Sequence, residues 1–98
     1  MKMLWIICNE SIAEDVRDAL EGNGVSGYTV WRGVLGTHIG HKTHWGDAIF
    51  PGHNWTFMVV DEEEHINGAI QRLKDMKGED RYHRAGIKAY MQDVNAVV

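Results

Sequence analysis

Four histidines crowd the stretch from Gly36 to Trp55, GTHIGHKTHWGDAIFPGHNW: His38, His41, His44 and His53. Neutral imidazole is a ligand for zinc, copper and nickel. His38, His41 and His44 recur every third residue. On a helix or a turn-rich loop, that spacing brings two or three rings toward one ion. The set lacks the fixed order of a C-x-x-C or H-E-x-x-H signature. A divalent metal site, zinc or copper, on His38, His41, His44 and His53 therefore stands beside two other readings. One is a lid over a ligand, and the other is a polar loop that simply contains histidines. His65 and His83 read as surface residues. Glu62, Glu63 and Glu64 sit where a helix should begin and favour its dipole, which accounts for them without acid–base chemistry. No nucleophile stands beside a base: Ser11 reads as a helix cap, Cys8 lies in an apolar run, and Ser26 lies among glycines. The sequence predicts a protein that is not an enzyme.

The elements that must hold this stretch come from patterning. MLWIIC, residues 3–8, is continuously apolar and reads as a strand buried on both faces. Ser11 and Glu14 have capping-box spacing. Ile12, Val16, Ala19 and Leu20 then follow at helical period, with Gly22 or Gly24 ending the helix. YTVWRGVL (28–35) and WTFMVVD (55–61) are strand-like. Asp61 can cap a second helix whose buried face is Ile66, Ala69, Ile70, Leu73 and Met76, with Gly78 at its end. IKAYM (87–91) is a fourth strand. The order β-α-β-β-α-β predicts an α+β ferredoxin-like sandwich, one domain over residues 1–98, with two helices on one sheet face. Trp5, Trp31, Trp55 and Phe57 cannot all point at two short helices, so an apolar sheet surface is left over and predicts an oligomer contact. The connection between the second and third strands runs to roughly 19 residues where a hairpin needs about 2–5.

Composition narrows the class. A chain of 98 residues with 44% hydrophobic content is globular, and a net charge of −4 argues against nucleic acid as a partner. A single cysteine cannot pair internally and predicts a reducing, cytoplasmic compartment. The apolar run from Met3 to Cys8 is too short for a signal-peptide core or a membrane span, so no membrane insertion is expected.

Several segments together resemble the PII signalling family of nitrogen-regulatory proteins. EDVRDALEGNGVSGYTV resembles the family's first helix and entry to the second strand, D-V-[RK]-x-A-L-x-x-x-G-[VI]-x-G-[ML]-T-V. GVLGTHIGH resembles the opening of its long T-loop, and IFPGHNWTFMVVDEE the loop exit with Pro51 before the third strand. The resemblance implies a homotrimer that binds an adenine nucleotide between subunits. It also implies a T-loop, here residues 36–54, that docks on a regulated partner such as a transporter or an enzyme. It places Thr29 against the adenine and Gly36 and Thr37 at the loop base near the phosphates. It puts His38 where the family has a glutamine that helps hold metal-bound nucleotide.

The departures are specific. No tyrosine lies between Tyr28 and Tyr82, so the family's uridylylated loop tyrosine is missing. The turn T-G-x-x-G-D-G-K is replaced by KGEDRYHRAGIK, with Gly86 at its last glycine and Ile87 at its lysine. The C-terminal R-x-R pair has no counterpart in NAVV. Arg81, Arg84 and Lys88 are the substitutes at hand. The expectation is weaker nucleotide binding, a less charged ligand, or none.

A metal on the histidine stretch has its own test. Metal binds neutral imidazole, so protons compete with it. Zinc affinity measured by calorimetry should fall steeply from about pH 7.5 to about pH 5.5, around the ordinary histidine value of ~6.5. Replacing His38 and His44 together with alanine should abolish it. Equal affinity in the two proteins would leave the histidines as loop residues.

Overall fold

The computed structural model describes residues 1–36, 53–82 and 85–98. Strand β1 (Lys2–Asn9) leads through a 3-10 turn (Glu10–Ile12) into helix α1 (Ala13–Glu21). Strands β2 (Thr29–Val34) and β3 (Asn54–Asp61) follow, then helix α2 (Glu63–Lys77), a second 3-10 turn (Asp80–Tyr82) and strand β4 (Ile87–Asp93). The strands form one antiparallel sheet in the order β2-β3-β1-β4. The predicted β-α-β-β-α-β sandwich is the observed fold. Each strand departs from its predicted bounds by two residues at most, as at β4, which runs on to Asp93.

Alternation along the strands divides the sheet into two unlike faces. Leu4, Ile6 and Cys8 of β1, and Phe57 and Val59 of β3, are buried. They pack with Ile12, Ala13, Val16, Ala19 and Leu20 near α1 and with Ile66, Ala69, Leu73 and Met76 of α2. Burying each large side chain of this core contributes roughly 1.5–3 kcal/mol. Burial also pushes the Cys8 thiol up to about 12, so it is an unreactive core residue.

The opposite face carries Met3, Trp5 and Ile7 of β1, Met58 and Val60 of β3, Trp31 of β2 and Tyr90 of β4, with Trp5 stacked on Trp31 at 6.0 Å. No described element of the chain covers it, and Trp31, Val60 and Tyr90 are exposed. Among the described residues, the apolar run 3–8 is therefore fully buried on one face only. Phe57 and Trp55 turn out to belong to the helix side: Phe57 is buried, and Trp55 packs at the margin of the core.

Capping differs from the pattern expected. Asn9, not Ser11, caps the first turn, accepting from the Ser11 N–H at 3.0 Å. At α2 the expected cap, Asp61, is instead the last residue of β3, and the N-cap is Glu62, which makes no side-chain cap bond. Asp61 accepts from the Glu62 N–H at 2.7 Å, from the Ser26 N–H at 3.2 Å and from His65 Nδ1 at 2.7 Å. It is the buried charged residue among those described. Its carboxylate joins the end of β3, the start of α2 and the approach to β2. The His65 ring lies over Gly24, whose φ of 83° suits glycine. A Cβ there would stand 3.2 Å from His65 Nε2.

Burial alone would raise the Asp61 pKa, but the Glu62 N–H, His65 and the Ser26 N–H outweigh it and hold the carboxyl below its ordinary value. A depressed folded-state pKa contributes stability above the unfolded value of ~3.9, and that stability is lost as pH falls through the folded value. Urea unfolding at stepped pH should show stability falling below about pH 4. Asp61→Asn, with no proton to take up, should be less stable at neutral pH and flatter with acid.

Candidate functional site

Of the residues marked by the sequence, Gly36, His53 and Gly86 lie at one end of the sheet, whereas Thr29 begins β2 at its far end. Asn9 pairs with Asn54 across β1 and β3, and Val34 pairs with Asn54 across β2 and β3. The Asn9 N–H donates to the Gly86 carbonyl at 3.1 Å, and the Glu10 N–H donates to the His53 carbonyl at 2.9 Å. The end of β1 thus ties the approach to β4 and the entry to β3 into one backbone platform. Gly36 lies beside it, since a Cβ there would sit 3.4 Å from Asn54 Nδ2. Arg32 stands over the Trp55 ring, 5.1 Å from its centroid, at the same end. Asn9, Glu10, Asn54 and the Arg32–Trp55 pair carry no sequence signal for this placement. Only strand register brings them here.

Of the ligand-binding set, Thr29, Gly36, Gly86 and Lys88 lie among the described residues. Thr37, His38 and Arg84 lie outside them, as do His41 and His44 of the metal set. His53 is half-buried, and its Nδ1 has no hydrogen-bond partner among the described residues. Among the described residues no three His, Cys, Asp or Glu side chains cluster as metal ligands.

The placement of the four described residues has a consequence for chemistry. Thr29 begins β2, and Gly36 lies just past its end, while Gly86 and Lys88 belong to β4 and its approach. These two strands are opposite edges of the sheet. Two strands lie between them, so at about 4.8 Å per strand the edges are about 14 Å apart. One small ligand cannot be gripped by both edges of the same chain. Thr29 pairs with Met58 and Lys88 with Ile7, positions that put both side chains on the open face. Both residues are exposed. Edges and open face are the surfaces a second copy would meet.

The expected cations need one correction. Arg81 is not placed to meet a ligand at the β4 edge. Its guanidinium lies over the Tyr82 ring and contacts Asp15 of α1 at 3.7 Å and Glu79 at 3.7 Å, on the helix side. The change of residue type was legible, but no pattern in the chain announced the acidic partner on α1. Lys88 remains exposed on β4.

Gly33 controls the exit of β2 from the sheet. Its φ is 68°, and the β2–β3 register slips by one residue between Trp31 and Val34. This is a bulge, which bends the strand and re-aims the chain beyond it. It therefore sets the direction in which residue 36 leaves the platform.

Comparison with known proteins agrees with this architecture. The family model described as nitrogen regulatory protein P-II matches residues 1–98. CPII from Thiomonas intermedia K12, solved with ADP and bicarbonate, is 19% identical with a TM-score of 0.74, over 95% of this chain and 84% of that one. The same protein with ADP, AMP and bicarbonate is 18% identical with a TM-score of 0.71, over 95% and 88%. A protein described as PII-like from Thermus thermophilus is 20% identical with a TM-score of 0.65, over 95% and 84%. At such identities the solved structures speak for the fold. No curated protein matches the sequence significantly. Among the described residues no helix is long and apolar enough to cross a membrane.

The bulge supplies a test. Nothing crowds a Cβ at Gly33, so the cost of Gly33→Ala is the positive φ alone, about 1–2 kcal/mol. Denaturant unfolding should show that loss, and Gly33→Asn should recover part of it. An unchanged midpoint in Gly33→Ala would mean that β2 pairs without the bulge.

Proposed function

The chain belongs to the nitrogen regulatory protein P-II family, and from that premise we propose that it works in the cytoplasm as a homotrimeric regulator. It binds an adenine nucleotide in clefts between subunits and controls a partner protein, a transporter or an enzyme, through loop 36–54. The observation that carries this reading is the split site. Thr29 and Gly36 sit on one edge of the sheet and Gly86 and Lys88 on the other. A cleft between neighbours brings the β2 edge of one chain to the β4 edge of the next. The uncovered face with Trp5, Trp31 and Tyr90 supplies the apolar contact that such packing needs. The role is signalling by occupancy of the cleft rather than catalysis.

Charge sets the nucleotide. A charge-assisted hydrogen bond to phosphate contributes roughly 1.5–3 kcal/mol. With Arg81 turned to the helix side, Lys88 is the β4 cation among the described residues that is placed to make one. ADP or AMP is therefore favoured over ATP. That preference parallels the ADP and AMP found with CPII.

Light scattering should give three times the 11.1 kDa chain mass; a monomer at micromolar concentration would remove the cleft. Calorimetry should show ADP bound at least as tightly as ATP. Lys88→Ala should weaken ADP by roughly 10–100-fold and Thr29→Ala by roughly 2–10-fold. Mixing the two variants under conditions that exchange subunits gives the sharper test. Clefts with Thr29 from one chain and Lys88 from the next reappear, so a fraction of sites should regain full affinity. No recovery on mixing would place both residues in a site within one chain and overturn the reading.

A further inference from the structure

A second concavity lies on the helix side, between α1, α2 and the turn before β4. It holds about 340 Å³ and is lined by Asp15, Asp18, Asn23, Arg72, Arg81 and Tyr82 among others. That is the lower end of the range for small-molecule clefts, roughly 300–1,000 Å³. Its carboxylates and guanidiniums lie mainly on opposite walls, with Arg17 of α1 beside Asp18 at 3.6 Å, both exposed. Asp15 and Asp18 stand three residues apart on α1 and so share one face of that helix. Opposite them, Glu79 holds the two arginines together. One oxygen accepts from Arg72 Nη1 at 2.9 Å, and the other lies 3.7 Å from Arg81 Nε.

We propose that this groove is a binding site for a small zwitterion of the α-amino-acid class, with the ligand carboxylate on Arg72 and Arg81 and the ammonium on Asp15 and Asp18. This groove lies on the helix side, apart from the strand edges that carry Thr29 and Lys88.

The geometry favours a ligand bearing both charges. Arg81 and Asp15 face each other at 3.7 Å, a loose pair between half-exposed groups that water and ligands compete for readily. Such a pair is a dipole across the groove. An amino-acid head group carries the same two charges one carbon apart. Laid antiparallel to the pair, it meets each charge with its opposite. A guanidinium has five N–H donors in a planar fork suited to a carboxylate, and the contacts of Arg72 with Glu79 and of Arg81 with Glu79, Asp15 and the Tyr82 hydroxyl leave several unspent. A simple anion would meet Asp15 and Asp18 unfavourably. A simple cation would meet Arg72 and Arg81. The groove thus discriminates against ligands of either single charge. The Asn23 amide closes the end of α1 by donating to the Ala19 carbonyl at 2.7 Å, which fixes the floor.

The occupant also has a route of action. Arg81 and Tyr82 precede Gly86 and Lys88 by a few residues on the same segment. A ligand bridging Arg81 to α1 tightens the hold of the helix layer on the segment that leads into β4.

The test uses the full chain and the twenty protein amino acids as probes, followed by amide NMR shifts and calorimetry. Expected is saturable binding of at least one amino acid, with shifts centred on Asp15, Asp18, Asn23, Arg72 and Arg81. For the best binder, the analogue lacking the carboxylate and the analogue lacking the ammonium should each bind at least tenfold more weakly. Asp18→Asn at an exposed position and Arg72→Gln at a half-buried one should each lower affinity at least tenfold with the melting temperature little changed. No localised shift from any of the twenty at about 10 mM, well above a millimolar Kd, would overturn the proposal. So would equal binding of the carboxylate-only or ammonium-only analogue.

Discussion

A four-stranded sheet has two faces, and two helices can cover only one of them. The rest of this structure depends on that inequality. The covered face takes Leu4, Ile6, Cys8, Phe57 and Val59 and becomes the core. The other face is nearly as apolar, with Met3, Trp5, Ile7, Met58 and Trp31, and no described part of the chain lies on it. Leaving such a surface in water costs about 25 cal/mol per Å² of apolar area, so it favours association. On the trimeric reading proposed above, association would bring sheet edges together, and each chain would carry two half-sites rather than one complete site.

Asp61 holds this layout in register. A buried carboxylate is tolerable only when its oxygens are satisfied, and here the donors come from two other segments, the approach to β2 and the start of α2. Its position fixes where β2 starts relative to α2. At the opposite end the Gly33 bulge fixes how β2 leaves. Strand β2 is thus located by a charge at its entrance and by a backbone kink at its exit.

The sequence displayed the layers clearly because periodicity reports burial directly. Ile12, Val16, Ala19 and Leu20 mark the α1 face without ambiguity, and all four are buried as expected. The helix expected to hold Ile70 was right, but that side chain reaches only the margin of the core. The continuous run at 3–8 reads as doubly buried, and among the described residues nothing lies on its second face. A single-chain pattern does not distinguish an internal layer from an apolar face left open. Capping by Asn9 in place of Ser11 turns on a single residue of register at the strand end, finer than capping-box spacing resolves. By residue type the sequence singles out Thr29, Gly36, Gly86 and Lys88 as ligand candidates. What the types did not show was their separation across the sheet, because strand order is set by long-range pairing. Arg81 illustrates the same limit, since its acidic partner Asp15 lies 66 positions upstream.

Cys8 lies on the central strand of the fold, between β3 and β4, paired with Trp55 on one side and Ile87 on the other. Its burial and raised pKa keep it silent toward thiol reagents while the sheet is closed. Alkylation of this thiol therefore proceeds only through conformations in which the centre of the sheet has opened. With a fast reagent the modification rate becomes the opening rate itself. The chain carries its own clock for the fluctuation of its most protected layer, and with one cysteine in the sequence the signal has a single source.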